Sequence, residues 1–192
     1  MLSSKGEQSR SRLIEAAEEL FAQKGVSATT VSQIVAKAGL TQAAFYLYFK
    51  SKDDILKEIL NKFEHTLLTY SDAGRHAGQL PDGELQAFVT QTFIRLFELL
   101  GKNVNVTKIA LQEAADSERF RKQMVDRIAA NMKTNQSLGI VNPIVDPVLA
   151  AEAVIASVER LVYRFGITGE RSKEELGQQF ANLFLNGILI RR

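Results

Sequence analysis

The sequence predicts an all-α protein, with an N-terminal three-helix helix-turn-helix domain followed by a larger helical bundle. Three observations carry this. Apolar residues recur at three- and four-residue spacing along nearly the whole chain of 192 residues. Helix caps and glycine stops crowd residues 30–56, which leaves only tight turns between short helices. No alternating strand pattern of comparable strength, repeat or low-complexity tract is present.

The elements follow in order. Arg10 to Lys24 places Leu13, Ala16, Ala17, Leu20 and Phe21 on one stripe, and Gly25 ends the helix. Thr30 caps a second helix with Gln33 three positions on, as a capping box requires, and Ile34, Val35 and Ala38 form its inner face. Gly39 supplies a left-handed stop. Thr41 then caps a helix carrying Gln42 to Phe49, with Phe45 and Phe49 facing inward. Ser51 caps the next, entered through Lys52, Asp53 and Asp54 and running through Ile55, Ile59, Phe63 and Leu67 to about Tyr70. The stretch SDAGRHAGQLPDGE reads as a loop. Further helices are predicted over 85–101, 104–116, 117–138, 147–165, with Pro147 in the first turn, and from Leu176 to Ile190 behind a Ser172 cap.

Composition bounds the function. With 45% hydrophobic and 24% charged residues the chain is globular, and its apolar stretches are too short to span a bilayer. No membrane partner is expected, the N-terminus lacks an apolar signal region, and a cytoplasmic location is the simplest reading. The absence of cysteine excludes disulfides, thiolate nucleophiles and Cys-based metal sites. His65 and His76 stand apart from any carboxylate cluster of ligand spacing, so no metal and no cofactor are expected. No nucleophile signature is present, and the chain is expected not to be an enzyme.

Net charge is only +2, but its arrangement is informative. Residues 1–57 hold eight bases and six acids; Lys5, Arg10 and Arg12 lead into the first helix, and Lys50 and Lys52 flank the third. An ordinary solvated surface would have the same composition. Two short helices joined by a glycine turn, with tyrosines and lysines on the second, are the layout of a DNA reader. Gln42, at the start of the reading helix, suits the N6/N7 edge of adenine, and Ala43 or Ala44 a thymine methyl, which predicts an A·T-containing half-site. Thr30, Thr41, Tyr46, Tyr48, Lys50 and Lys52 are candidate DNA contacts, with Thr41, Tyr46 and Tyr48 as neutral phosphate donors. Lys52 opens a helix, where its charge opposes the dipole, and so makes more sense opposite a phosphate. The plain alternative for the tyrosines is core packing.

Residues 10–56 resemble the DNA-binding domain of the tetracycline-repressor (TetR) family of bacterial regulators. The likeness rests on Ala16-Ala17, Leu20-Phe21, Gly25, Thr30, Ile34, Ala38-Gly39, Phe45-Tyr46, Tyr48-Phe49, Lys52 and Leu56. Two departures stand out. Val35 replaces a usual alanine, and Ala43-Ala44 replace a common glycine–threonine pair, which makes the reading surface small and apolar. The resemblance implies a DNA-binding domain over 1–52. It implies a ligand-binding and dimerisation domain over 53–192, with 53–70 as the connecting helix.

The last two helices are apolar over more than one face, so each is expected to be buried on both sides. Val158, Leu161, Val162, Phe165, Phe180, Leu183, Phe184 and Ile188 are the candidate homodimer interface, a wholly internal core being the alternative. A twofold dimer matches a palindromic operator in double-stranded DNA. Phe63, Phe88, Phe93, Phe97, Met124 and Met132 suit the lining of a pocket for a small lipophilic effector, although such residues are more often plain core. His65, His76, Gln112, Glu113, Asn131 and Arg164 are candidate polar contacts there. The expected function is a homodimeric repressor released from its operator by a small molecule. The alternative is a helical small-molecule or lipid-binding protein whose N-terminal motif serves packing only.

Overall fold

The computed structural model describes residues 4–81, 83–113 and 117–188. Among them the elements are α1 (Ser4–Lys24), α2 (Val31–Ala38), α3 (Gln42–Tyr46), α4 (Lys52–Ser71), a 3-10 helix (Ala73–Gln79), α5 (Leu85–Lys102), α6 (Val104–Lys108) running into a π turn (Ile109–Glu113), α7 (Ser117–Ser137), α8 (Pro147–Leu161) running into a second π turn (Val162–Gly166), and α9 (Lys173–Ile188). No strand occurs among the described residues, as the sequence predicts. The predicted residues 114–116 and 189–190, and the side chains of Gln112, Glu113 and Ile188, lie outside the described residues.

The chain divides into two compact units. The N-terminal unit takes the chain through His65 together with 105–117, and the C-terminal unit takes 66–104 and 118–192. The sequence sets a functional boundary after residue 52. By packing, α4 up to His65 goes with the N-terminal unit, and its Ile55, Ile59, Leu60 and Phe63 are buried. The core of that unit is formed by Leu13, Ala17, Phe21, Ile34, Phe45 and Ile55, each at 0% exposure. Phe45 and Phe49 hold their rings 5.6 Å apart.

The C-terminal unit is organised around α5 and α9. Phe93 meets Phe180 edge-on at 4.7 Å and Phe184 at 6.1 Å, and Phe97 meets Phe180 at 6.2 Å. The predicted 71–84 loop contains the 3-10 helix, which has no buried residue of its own. It is held from outside: Asn131 Nδ2 donates to the Ser71 carbonyl (3.1 Å), Asn135 Nδ2 to that of Gly74 (3.0 Å), and Arg127 pairs with Asp72. These three residues recur every four positions on α7 and so face one way. Asp146 caps α8 by accepting from the Leu149 N–H (2.8 Å) ahead of Pro147, and Ser172 accepts from the Glu175 N–H (3.1 Å) at the start of α9.

Candidate nucleic-acid interface

The interface is built from local chemistry. Thr30 Oγ1 accepts from the Gln33 N–H while the Gln33 side chain accepts from the Thr30 N–H, which closes a capping box around α2. Gly39 ends that helix at φ 63°, in the left-handed region. A Cβ there would come within 2.7 Å of the Arg12 guanidinium, a flexible end that can move aside, so it is the left-handed φ that favours glycine. Thr41, two residues after Gly39, accepts from the Ala44 N–H through Oγ1 (3.2 Å) and caps the start of α3. The α2–turn–α3 angle is therefore fixed by two caps and one glycine.

The reading helix is shorter than predicted. It closes at Tyr46, with Leu47 as its C-cap, and Phe49 follows in a turn bonded back to the Phe45 carbonyl. Phe45 and Phe49 point inward; Thr41, Gln42, Ala43 and Tyr46 are exposed, Tyr46 at 58%, and Ala44 and Tyr48 are half-buried. Gln42 Nε2 donates to Ser32 Oγ at 2.6 Å, which ties the start of α3 to α2 and aims the amide. Ser32 is a contributor that spacing alone does not single out, since its partner lies ten residues on.

The basic residues divide by geometry. Lys50 and Lys5 are exposed. Arg10 pairs with Glu58 and lies 5.4 Å from the centre of the Phe49 ring, and Lys37 pairs with Glu19 at 2.7 Å. Lys52, expected opposite a phosphate, has acceptors within the protein. Its Nζ donates to the carbonyls of Val26 (2.6 Å) and Thr29 (2.9 Å), with Ser27 at 3.4 Å. The carbonyls of the α1–α2 loop offset the unfavourable charge at the α4 N-terminus. That terminus is otherwise well satisfied: Ser51 Oγ accepts from Asp54 N, and Asp54 Oδ2 accepts from Lys50 N.

In the C-terminal unit the sequence-derived residues separate. Of the six pocket candidates only Phe97 lines the described cleft, about 340 Å³, which Glu98, Gly101, Lys102, Gly166, Arg171, Lys173 and Leu176 complete. Glu98 accepts from Lys173 (2.6 Å), which lowers the Glu98 pKa and raises that of Lys173. Phe93, Met124 and Met132 are core side chains, Phe88 is half-buried, and Phe63 is core in the N-terminal unit. Asn131 is held by Ser71, and Arg164 pairs with Glu170 beside the Phe165 ring.

The interface candidates also divide. Val158, Val162 and Phe180 are buried within the single chain and belong to its own core, not to an outward face. Leu161, Phe165 and Phe184 are half-buried, and Leu183 is 75% exposed. The outward stripe of α8 is instead Leu149, Ala153, Ala156 and Arg160. Among the described residues no group of three or more His, Asp or Glu could hold a metal ion, and no helix is long and apolar enough to cross a membrane.

Comparison with known proteins agrees with this geometry. Residues 13–59 match the family model described as bacterial regulatory proteins, tetR family. The uncharacterized HTH-type transcriptional regulator YdgC of Bacillus subtilis (strain 168) is 29% identical over 188 residues, covering 98% of this chain and 96% of that relative. SmeT, the repressor of the Stenotrophomonas maltophilia multidrug efflux pump SmeDEF, shares the fold at a TM-score of 0.71, with 22% identity over 94% of this chain and 90% of its own. The ketosteroid transcriptional regulator KstR2 of Mycobacterium tuberculosis does so at 0.72, with 23% identity over 100% and 98%. With its capped helix-turn-helix on α2 and α3, the chain carries over residues 13–59 a domain of the tetR family of bacterial regulatory proteins.

Proposed function

We propose that the protein is a homodimeric repressor that holds a palindromic operator and leaves it when a small lipophilic ligand enters the C-terminal unit. The observation that carries this is the exposed face of the α2–α3 motif, where the groups left outward are those a major groove accepts. One Gln42 N–H is taken by Ser32. The other, with Oε1, is left to pair with the N7 and N6 groups of an adenine. Ala43 and Ala44 line the same approach and favour an A·T-containing half-site. The hydroxyls of Thr30 and Thr41 accept backbone N–H groups and keep their own protons to donate. With Tyr46, Tyr48 and Lys50 they form a phosphate-facing rim around Gln42.

Residues 1–52 would read the DNA, and 53–192 would take the ligand and the second copy. The outward Leu149–Ala153–Ala156–Arg160 stripe of α8 and Leu183 of α9 supply the self-complementary face of a twofold dimer. The α4 helix runs unbroken from Lys52 in the N-terminal unit to Ser71 in the C-terminal unit. A ligand that binds one arrangement of α4 better than another therefore shifts the DNA-competent population by that difference in affinity. Among proteins sharing the fold, SmeT has been solved as a triclosan complex, and SmeT and NalD are repressors of multidrug efflux pumps. Both facts support a lipophilic effector and repression here.

The test is a fluorescence-anisotropy titration of the full chain against DNA from upstream of its own gene, over a range of salt. A salt-sensitive, sequence-preferring complex of two chains per site is expected, dissociated by one of a panel that includes triclosan, a steroid and a long-chain fatty acid. Tyr46→Phe should weaken binding across all sequences, since a phosphate contact carries no base information. Equal affinity for all duplexes would end the regulator reading, and indifference to every lipophile would end the proposed release.

A further inference from the structure

Leu47 is 79% exposed, and among the described residues of the N-terminal unit it is the strongly exposed large aliphatic side chain. It keeps helical dihedrals as the C-cap of α3 (φ −71°, ψ −25°), so the rotation of the helix carries on through it. It stands four positions after exposed Ala43 and shares that residue's face. It also lies midway between buried Phe45 and Phe49, so it projects away from the core. Ala43 and Leu47 thus form an outward apolar strip beside the Gln42 amide and the Tyr46 hydroxyl. Of the four base-pair edges in the major groove, the group that offers a hydrocarbon partner is the C5-methyl of thymine.

We infer that Leu47 is a specificity-determining residue that reads a thymine methyl in the half-site, next to the base pair addressed by Gln42. This rests on the DNA-reading role proposed for α3. It adds a residue that hydrogen-bond logic passes over, because a leucine has no group to donate or accept. Leu47 and Ala43 favour thymine over cytosine by apolar contact, while Gln42 acts through the adenine edge. The two chemistries together select an A·T-rich step.

The experiment separates the methyl from the rest of the base. The full-length protein is used to select its preferred duplex from a random pool, and the same duplex is then made with deoxyuridine for thymine, one position at a time. Deoxyuridine removes the methyl and leaves the hydrogen-bonding edge intact. The wild type should lose about fourfold in affinity at one thymine per half-site, as a buried methyl of about 0.8 kcal/mol implies. Leu47→Ala should bind the thymine duplex more weakly and show no further loss with deoxyuridine at that position. An unchanged melting temperature for Leu47→Ala confirms that folding is not the cause. No deoxyuridine effect in the wild type, or equal effects in both proteins, would overturn the inference while leaving DNA reading intact. Failure to select any preferred duplex would overturn the DNA-reading role itself, and this inference with it.

Discussion

Lys52 shows how one side chain can be diverted from the surface to the scaffold. Its ammonium sits among the carbonyls of Val26, Ser27 and Thr29, so it holds the α1–α2 loop against the start of α4. Hydrogen bonds to a charged donor are worth about 1–3 kcal/mol when the acceptors are left unpaired on its removal. Lys52→Met is therefore expected to lower unfolding free energy by about 1–3 kcal/mol in a denaturant titration. The salt dependence of DNA affinity should stay unchanged. Lys50→Met should do the reverse, flattening the logarithmic salt slope by about 0.9 for each phosphate left without its cation, with stability intact. A flattened slope for Lys52→Met would return that residue to the phosphate rim. Spacing does not reveal the Lys52 geometry, because its partners precede it by 23 to 26 residues and are carbonyls, which every residue has. Glu18 offers a second case. Burial, with Glu15 nearby, raises its pKa, so its ionised form opposes folding at neutral pH. Above the folded pKa the penalty is complete, and below the unfolded pKa it vanishes. Glu18→Gln should thus raise the melting temperature at pH 7, with the gain shrinking as pH falls toward about 4. A gain that grows on acidification would contradict this.

At the scale of elements, what was legible is what is local. Thr30, Thr41, Ser51, Asp146 and Ser172 all bond to backbone groups three residues on, within the window that a sequence pattern spans. The end of the reading helix and the 3-10 helix were not legible. The Ala73–Gln79 turn is held by Asn135 at Gly74, and the chain just before it by Asn131 at Ser71, both from α7 about sixty residues away. The π turns after α6 and α8 likewise have no spacing signature, since the apolar stripe runs through them unbroken. The crossing of α5 and α9 is another tertiary fact with one sequence-level mark, Gly177. A Cβ at Gly177 would lie 2.6 Å from the Ile94 nitrogen and 2.7 Å from its Cα. Those are backbone atoms, so no rotamer change relieves the clash and the helices must separate. Gly177→Ala is expected to cost about 1–3 kcal/mol, against the gain in helix propensity that alanine brings to an open site. Shortening the neighbour, as Ile94→Ala, should not rescue it. A stable Gly177→Ala protein, or rescue by Ile94→Ala, would show that the obstacle is side chain and that the helices are not pinned at this point.

For the whole molecule, the decisive question is which apolar faces of α8 and α9 serve the chain and which serve a second copy. Sequence periodicity marks both helices as apolar on more than one side but cannot tell the two sides apart, because burial in one's own core and burial against a partner select the same residue types. The single-chain structure shows which of these side chains its own core covers. Val162 has no exposed surface, Val158 and Phe180 have almost none, and Leu183 stands out at 75%. Two substitutions of the same chemistry should therefore have opposite outcomes. Val162→Glu places an unpaired charge in the core and should abolish folding, read as lost helical circular dichroism. Leu183→Glu places the same charge on an outward face, so it should keep the helical signal and shift sedimentation from dimer to monomer. With each half-site then bound by an independent head, operator affinity should fall and its dependence on protein concentration should steepen, because the two heads no longer arrive on one body. A Leu183→Glu protein that still sediments as a dimer on full-affinity DNA would move the twofold contact off this face of α9 and leave the Leu149–Arg160 stripe of α8 to carry it alone.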